Sequence, residues 1–206
     1  MAKSPNTKAP TQAPPVAATA IAQYAHAVGE GTGVTATPLE NLNLATVICR
    51  KGQAKALAAK IKKLFKVTLE DASRRSGEGA VSFVGTGPGI WLAVNENYDP
   101  LWVMQLAKDL EGLASVSDQS DGYAPIRLEG PKVIEVMEKG VFTDLHLSAF
   151  PVGAAGGFSV HHVGVILWRR SELAFDILSF RSYGRDLWHW IEESAAEFGL
   201  QVGKTQ

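Results

Sequence analysis

Apolar residues recur along the chain at two spacings, every second position in some stretches and every third or fourth in others. Each spacing predicts an element. In "LNLATVICRK" the β-branched Thr46, Val47 and Ile48 predict a strand. From Gln53 to Lys66, Ala54, Leu57, Ala58, Ile61, Leu64 and Phe65 fall on one face of a 3.6-residue period, which predicts an amphipathic helix. "AVSFVG" and "GIWLAVN" predict two strands joined by the glycine-rich "GTGPG". Asp99 and Pro100 then suit a helix start and Gly112 a helix stop, with Val103, Leu106, Ala107 and Leu110 as the buried stripe.

The second half repeats this pattern. Ala124, Ile126 and Leu128 alternate with Tyr123, Pro125 and Arg127, a half-buried strand whose proline predicts an edge position. Pro131 opens a short helix that Gly140 ends. "DLHLSAF" reads as a strand with Leu145, Leu147 and Ala149 on one side. "FSVHHVGVILWRR" and "ELAFDILSF" predict a hairpin turning near Arg170 and Ser171, and a last helix runs from about Tyr183 to Phe198. The order predicts an α+β fold of two intertwined strand-helix-strand-strand-helix-strand halves, with helices against largely antiparallel sheets.

Residues 1–38 are expected to be an arm outside the body. "MAKSPNTKAPTQAPPVAATA" carries almost no large apolar side chains, so it cannot offset its ordering entropy and is expected to be flexible. Residues 23–38 are Gly- and Ala-rich and expected to be loosely ordered. The α+β domain is placed at residues 39–199 and a tail at 200–206. The prolines ahead of "VAATAIA", and the shortness of that run, argue against a secretory signal.

Charge adds exclusions rather than a function. With 20 Lys+Arg against 21 Asp+Glu, the 206-residue chain has a formal net charge of −1, no field that would make nucleic acid or an anionic membrane an obligatory partner. The lysines of the first helix lie largely outside its apolar stripe, with no interleaved aromatics to stack bases, so they read as a solvated face. No apolar run approaches the roughly 18–20 residues a spanning helix needs. The single cysteine, Cys49, fits a reducing compartment, and a cytoplasmic location is expected.

Candidate chemistry is thin. "GTGPG" lacks the Gly-Lys-Ser/Thr of a phosphate loop, and a strand follows it rather than the helix of a dinucleotide fingerprint, so it reads as a turn. His161 and His162, adjacent on an expected strand, point to opposite faces and cannot close on one metal without a bulge; His146 could approach from the neighbouring strand, but no Asp, Cys or His at ligand spacing supports a site. Cys49 in an apolar strand reads as an inert core thiol. Asp118 with Asp121, and Glu192 with Glu193, could serve as acid and base but sit in a turn and on a polar helical face, where structural or solvated roles are expected. No catalytic, cofactor-binding or metal residue is assigned.

In the last helix Leu187, Ile191, Ala195 and Phe198 form the buried stripe, with Trp188 and Trp190 to either side of it. Arg181, Arg185 and Trp188 are the expected subunit-interface residues, Trp and Arg being enriched in interface hot spots.

The segments "GTGPGIWLAV", "SVSDQSDGYAPIRLEGPKVIEVMEKG", "DLHLSAFPVGA" and "AFDILSFRSYGRDLWHWI" together resemble the gamma subunit family of heterotetrameric sarcosine oxidase, over roughly Leu39 to Gly199. The second segment is also similar, more distantly, to the glycine cleavage T-protein superfamily. The resemblance implies an aminomethyltransferase-like fold and a noncatalytic chain that binds no cofactor alone. It implies alpha, beta and delta subunits as partners, and FAD, FMN, NAD and tetrahydrofolate elsewhere in the complex. Demethylation of sarcosine to glycine would be the complex's reaction. The alternatives are a subunit of an N-methylglutamate or dimethylglycine dehydrogenase, or a free-standing folate-binding protein using Asp118 or Asp121.

Overall fold

In the computed structural model, Ile21 and residues 25–204 are described; the expected flexible stretch over residues 1–20 lies outside them. The strands are β1 Val34–Pro38, β2 Asn43–Cys49, β3 Arg75–Ser76, β4 Val81–Gly87, β5 Ile90–Asn95, β6 Ala114–Asp118, β7 Tyr123–Glu129, β8 Ala155–Val160, β9 Val163–Ser171, β10 Ala174–Phe180 and β11 Leu200–Val202. The helices are α1 Ala54–Phe65, α2 Trp102–Asp109, α3 Val133–Glu138 and α4 Gly184–Ala195, the last preceded by a 3-10 turn at Arg181–Tyr183.

These strands form a five-stranded sheet, ordered β3-β4-β5-β2-β6, and a six-stranded sheet, ordered β11-β1-β7-β10-β9-β8. The two halves correspond: β2, β4, β5 and β6 of the first occupy the places of β7, β9, β10 and β11 in the second. One difference matters. β2 pairs directly with β6, whereas β1 from the N-terminal side is inserted between β7 and β11, antiparallel to the first and parallel to the second.

Period-two alternation divides each sheet's side chains between two layers. Ala45, Val47, Phe83, Trp91 and Ala93 face Leu57 and Ile61 of α1 and Val103 and Leu106 of α2. Ala124, Ile126, Phe175 and Ile177 face Val133 and Val136 of α3 and Leu187 and Ile191 of α4. The opposite faces meet in the middle, where Leu44, Val84, Leu92 and Val94 pack on Ala155, Trp168 and Leu178. The layers run helix, sheet, sheet, helix. Among the described residues no helix is long and apolar enough to cross a membrane.

Four expectations are corrected. The body begins before Leu39: β1 carries buried Val34 and Ala36, and Leu200 of the expected tail is buried in β11 beside it. The Gly- and Ala-rich composition that suggested looseness serves close packing instead. Gly199, at φ 80°, lies where a Cβ would come 2.5 Å from the Glu30 carbonyl oxygen, so only glycine lets the C-terminal turn meet this segment. Second, Pro125 sits in a central strand, not at an edge. β1 stops at Pro38, opposite Ile126, so no ladder partner demands the missing Pro125 N–H, while the Leu39 N–H still donates to the Pro125 carbonyl at 3.0 Å.

Third, "DLHLSAF" is a turn. The Asp144 carboxylate accepts from the His146 N–H at 2.8 Å, and the His146 carbonyl accepts from Ala149 and Phe150; short polar side chains thus give the backbone a local alternative to a ladder. Fourth, His161 and His162 form the tip of the β8–β9 hairpin, His161 at φ 54°, and the following hairpin turns at Glu172 and Leu173. The two imidazoles are therefore not on opposite strand faces; their centroids lie 4.8 Å apart.

Candidate functional site

The layer between the sheets is apolar at one side and ionic at the other. β7 and β10 bring Arg127 and Asp176 directly opposite each other in register, both on the inter-sheet face. Arg127 donates through Nε to Asp176 Oδ1 at 2.7 Å and through Nη2 to Oδ2 at 3.3 Å. Arg170, on β9, donates from Nη1 to Asp176 Oδ2 at 3.2 Å and to Glu96 Oε1 at 2.6 Å. Arg75, on β3, reaches the same Glu96 oxygen at 3.3 Å and the Gly77 carbonyl at 2.8 Å. The network thus joins both sheets, with Asp176 completely buried at its centre. Burial, and then the nearby Arg170 charge, lower the Arg75 pKa. Burial also opposes charge on Arg170, but its bonds to Glu96 and its attraction to Asp176 outweigh that and raise its pKa. The sequence signal for this network is slight: one Asp in the apolar run "LAFDILSF", one Arg in β7 and two in β9.

Little space remains on the Arg127 and Asp176 side of the network. A cavity lined by Leu42, Val94, Glu96, Trp168 and Asp176 has a volume of about 80 Å³. Asp118 and Asp121, the carboxylates considered for a pterin, line a hollow of about 140 Å³ next to Tyr98 and Tyr123. Small-molecule sites typically measure about 300–1,000 Å³. Asp118 Oδ1 instead accepts from the Ser120 N–H at 2.9 Å, and Asp121 lies 3.8 Å from Arg181. These residues do not fit a folate.

The glycine-rich stretch is the β4–β5 turn, with Gly89 at φ 67° and Gly87 paired with Ile90. Among the described residues no three His, Cys, Asp or Glu side chains gather to hold a metal. Cys49 is half-buried at the end of β2. Glu192 is not merely solvated: its carboxylate accepts from Trp188 Nε1 at 2.5 Å and lies 2.9 Å from His26 Nδ1.

The expected interface trio is split. Trp188 is 1% exposed and belongs to the core beneath the six-stranded sheet, so it is corrected to a core residue. It is Trp190 that is half-buried, packed over Gly140. Ile21 lies against Gly184 and His26 at Glu192, contacts on α4 that a helical wheel of α4 alone cannot show. Arg185 is exposed and Arg181 half-buried. Beside them stand Phe180 and Tyr183, 52% and 47% exposed, which sequence periodicity did not single out; Phe180 stacks on Tyr123 with centroids 5.1 Å apart.

Residues 51–197 match the model of the sarcosine oxidase, gamma subunit family. The chain belongs to that family. A sarcosine oxidase subunit gamma of Corynebacterium sp. (strain U-96) is 34% identical over 107 residues, and one of Corynebacterium sp. (strain P-1) is 30% identical over 115. These matches cover 52% and 56% of this chain and 52% and 57% of the relatives, so the chain spans about half the length of the curated relatives it matches. A chain of the heterotetrameric sarcosine oxidase from Corynebacterium sp. U-96, solved in complex with pyrrole 2-carboxylate, superposes with a TM-score of 0.73 at 26% identity, over 89% of this chain and 92% of that one. The aminomethyltransferase T of Bartonella henselae gives a TM-score of 0.59 at 14% identity, over 90% of this chain and 50% of that one, a likeness of fold alone. The family's fold is thus the expected aminomethyltransferase-like α+β arrangement.

Proposed function

We propose that this chain is a noncatalytic structural subunit of a cytoplasmic, heterotetrameric, flavin-dependent sarcosine oxidase, assembled with alpha, beta and delta subunits. The observation that carries this reading is the likeness, over nearly the whole of both chains, to a chain of a heterotetrameric enzyme of that kind. The small inter-sheet cavity agrees with it, since the network there is made of the chain's own charges. In this reading the larger subunits hold FAD, FMN, NAD and tetrahydrofolate and oxidise sarcosine to glycine. The present chain contributes a docking surface centred on Phe180, Tyr183, Arg181 and Arg185, where exposed aromatics and guanidiniums stand together.

The test is co-expression with the larger subunits. The wild-type chain should copurify with them and with a flavin spectrum. Phe180→Ala, Tyr183→Ala and Arg185→Ala should each weaken association while leaving the chain's own melting temperature nearly unchanged. Hot-spot truncations cost about 2 kcal/mol or more, roughly thirtyfold in affinity. A chain that stays monomeric beside those subunits, or that binds tetrahydrofolate stoichiometrically by calorimetry, would remove the scaffold reading.

A further inference from the structure

A cleft of about 650 Å³ opens where residues 66–78 pass the ends of β8 and β9, and the scaffold reading makes no use of it. Lys66, Arg74, Arg75 and Arg170 line it, with Glu70 and Glu78 as its acidic residues. Arg169 also borders it, but its guanidinium is held by the carbonyls of Leu145, Phe150 and Glu172 and lies over the Phe175 ring. Behind the cleft, the guanidiniums of Arg75, Arg127 and Arg170 meet the carboxylates of Glu96 and Asp176, and Arg75 also donates to the Gly77 carbonyl. Arg75 is the least satisfied of the three. Its side chain is 12% exposed, it shares one Glu96 oxygen with Arg170, and its buried Nε–H has no partner. Buried cations are stabilised by paired anions, and a guanidinium fork suits carboxylate and phosphate oxygens.

We propose that this cleft binds a small multivalent anion, a polycarboxylate or a phosphate, against Arg75 and Arg170, with Arg74 and Lys66 as its outer contacts. Multivalence follows from the lining, because Glu70 and Glu78 repel a ligand that cannot engage several cations at once. Small size follows from the volume, which lies within the range of small-molecule sites. A protein partner is disfavoured, since among the lining residues only Val152 is an exposed large apolar side chain, and the exposed aromatics Phe180 and Tyr183 are not part of the lining.

The test uses the full chain, with sodium citrate and inorganic phosphate as probes against sodium chloride at matched ionic strength. Citrate or phosphate should bind at one saturable site by calorimetry. At about a hundredfold excess over Kd it should raise the melting temperature by roughly 5–10 °C. Preference between the probes identifies carboxylate or phosphate as the group recognised. The double variant Lys66→Gln/Arg74→Gln changes only exposed side chains, so it should melt as wild type without ligand yet bind about tenfold more weakly or worse. A rise equalled by chloride, or full retention of binding by the double variant, overturns the site. So does binding that vanishes in the assembled oxidase, which would make the cleft a contact for acidic residues of another subunit.

Discussion

Asp176→Asn is the sharpest probe of the inter-sheet network. The substitution keeps size and one acceptor oxygen but removes the charge that Arg127 and Arg170 share at 2.7 and 3.2 Å. Removing one partner of a buried ion pair costs about 3–5 kcal/mol, because the remaining charge stays desolvated. The low end applies here. The side chains of Arg127 and Arg170 are 15% and 25% exposed, and Arg170 keeps Glu96. About 3 kcal/mol in a chain of this size lowers the melting temperature by roughly 6–12 °C. Differential scanning calorimetry on wild type, Asp176→Asn, Arg127→Met and the double variant Arg127→Met/Asp176→Asn completes the measurement. The double variant should be more stable than the sum of its single changes, by about 1–3 kcal/mol of coupling. A melting temperature for Asp176→Asn within about 1 °C of wild type, or strictly additive effects, would refute the claim that the buried pair carries this energy.

Three further outcomes follow from single contacts. Trp188→Ala should cost about 3–5 kcal/mol of stability as a core truncation; subunit association lost at an unchanged melting temperature would instead return Trp188 to the surface. Gly85→Ala places a Cβ 1.9 Å from the Ala72 carbonyl oxygen, so backbone must shift, at about 2–3 kcal/mol by thermal melting, whereas Gly79→Ala, with nothing within 4 Å, should be nearly neutral. Burial raises the Tyr123 phenol above its ordinary pKa near 10. The unfolded chain then ionises first, so this contribution is intact below about pH 10 and is lost as pH climbs through the raised value. Melts between pH 9 and 11 should show that loss in wild type and a flatter limb in Tyr123→Phe.

The elements most legible in the sequence were those whose own pattern suffices. α1 falls where Leu57 and Ile61 repeat at helical spacing, and the β4–β5 hairpin where Gly and Pro separate two β-branched and aromatic runs. The errors share a cause. β1 has few large apolar side chains, and its burial comes from β7 and β11 on either side, partners far away in sequence. Pro125 read as an edge marker, yet the vacant donor position it needs is supplied by the end of β1 at Pro38. "DLHLSAF" alternates like a strand, but Asp144 and His146 satisfy its backbone locally before any ladder can. Of the candidate surface, Arg181 and Arg185 were visible as charges in the sequence, while Phe180 and Tyr183 were not, because their exposure depends on where the chain leaves β10 for α4.

By itself the sequence determined the four helices, the strands β2, β4, β5, β7 and β10, the near-neutral charge, the lack of a phosphate loop and a likeness to one family, since each is written in local spacing or in runs of residue types. Tertiary structure alone decided the rest. Trp188 is core because α4 packs on the six-stranded sheet in the cluster of Ile126, Phe175, Leu187 and Ile191. Asp176 is a buried network centre because β7, β9 and β10 set three charges on one face of one sheet, against Glu96 from the other. Burial and charge pairing are properties of what lies opposite a residue, and the chain's local pattern does not contain that information.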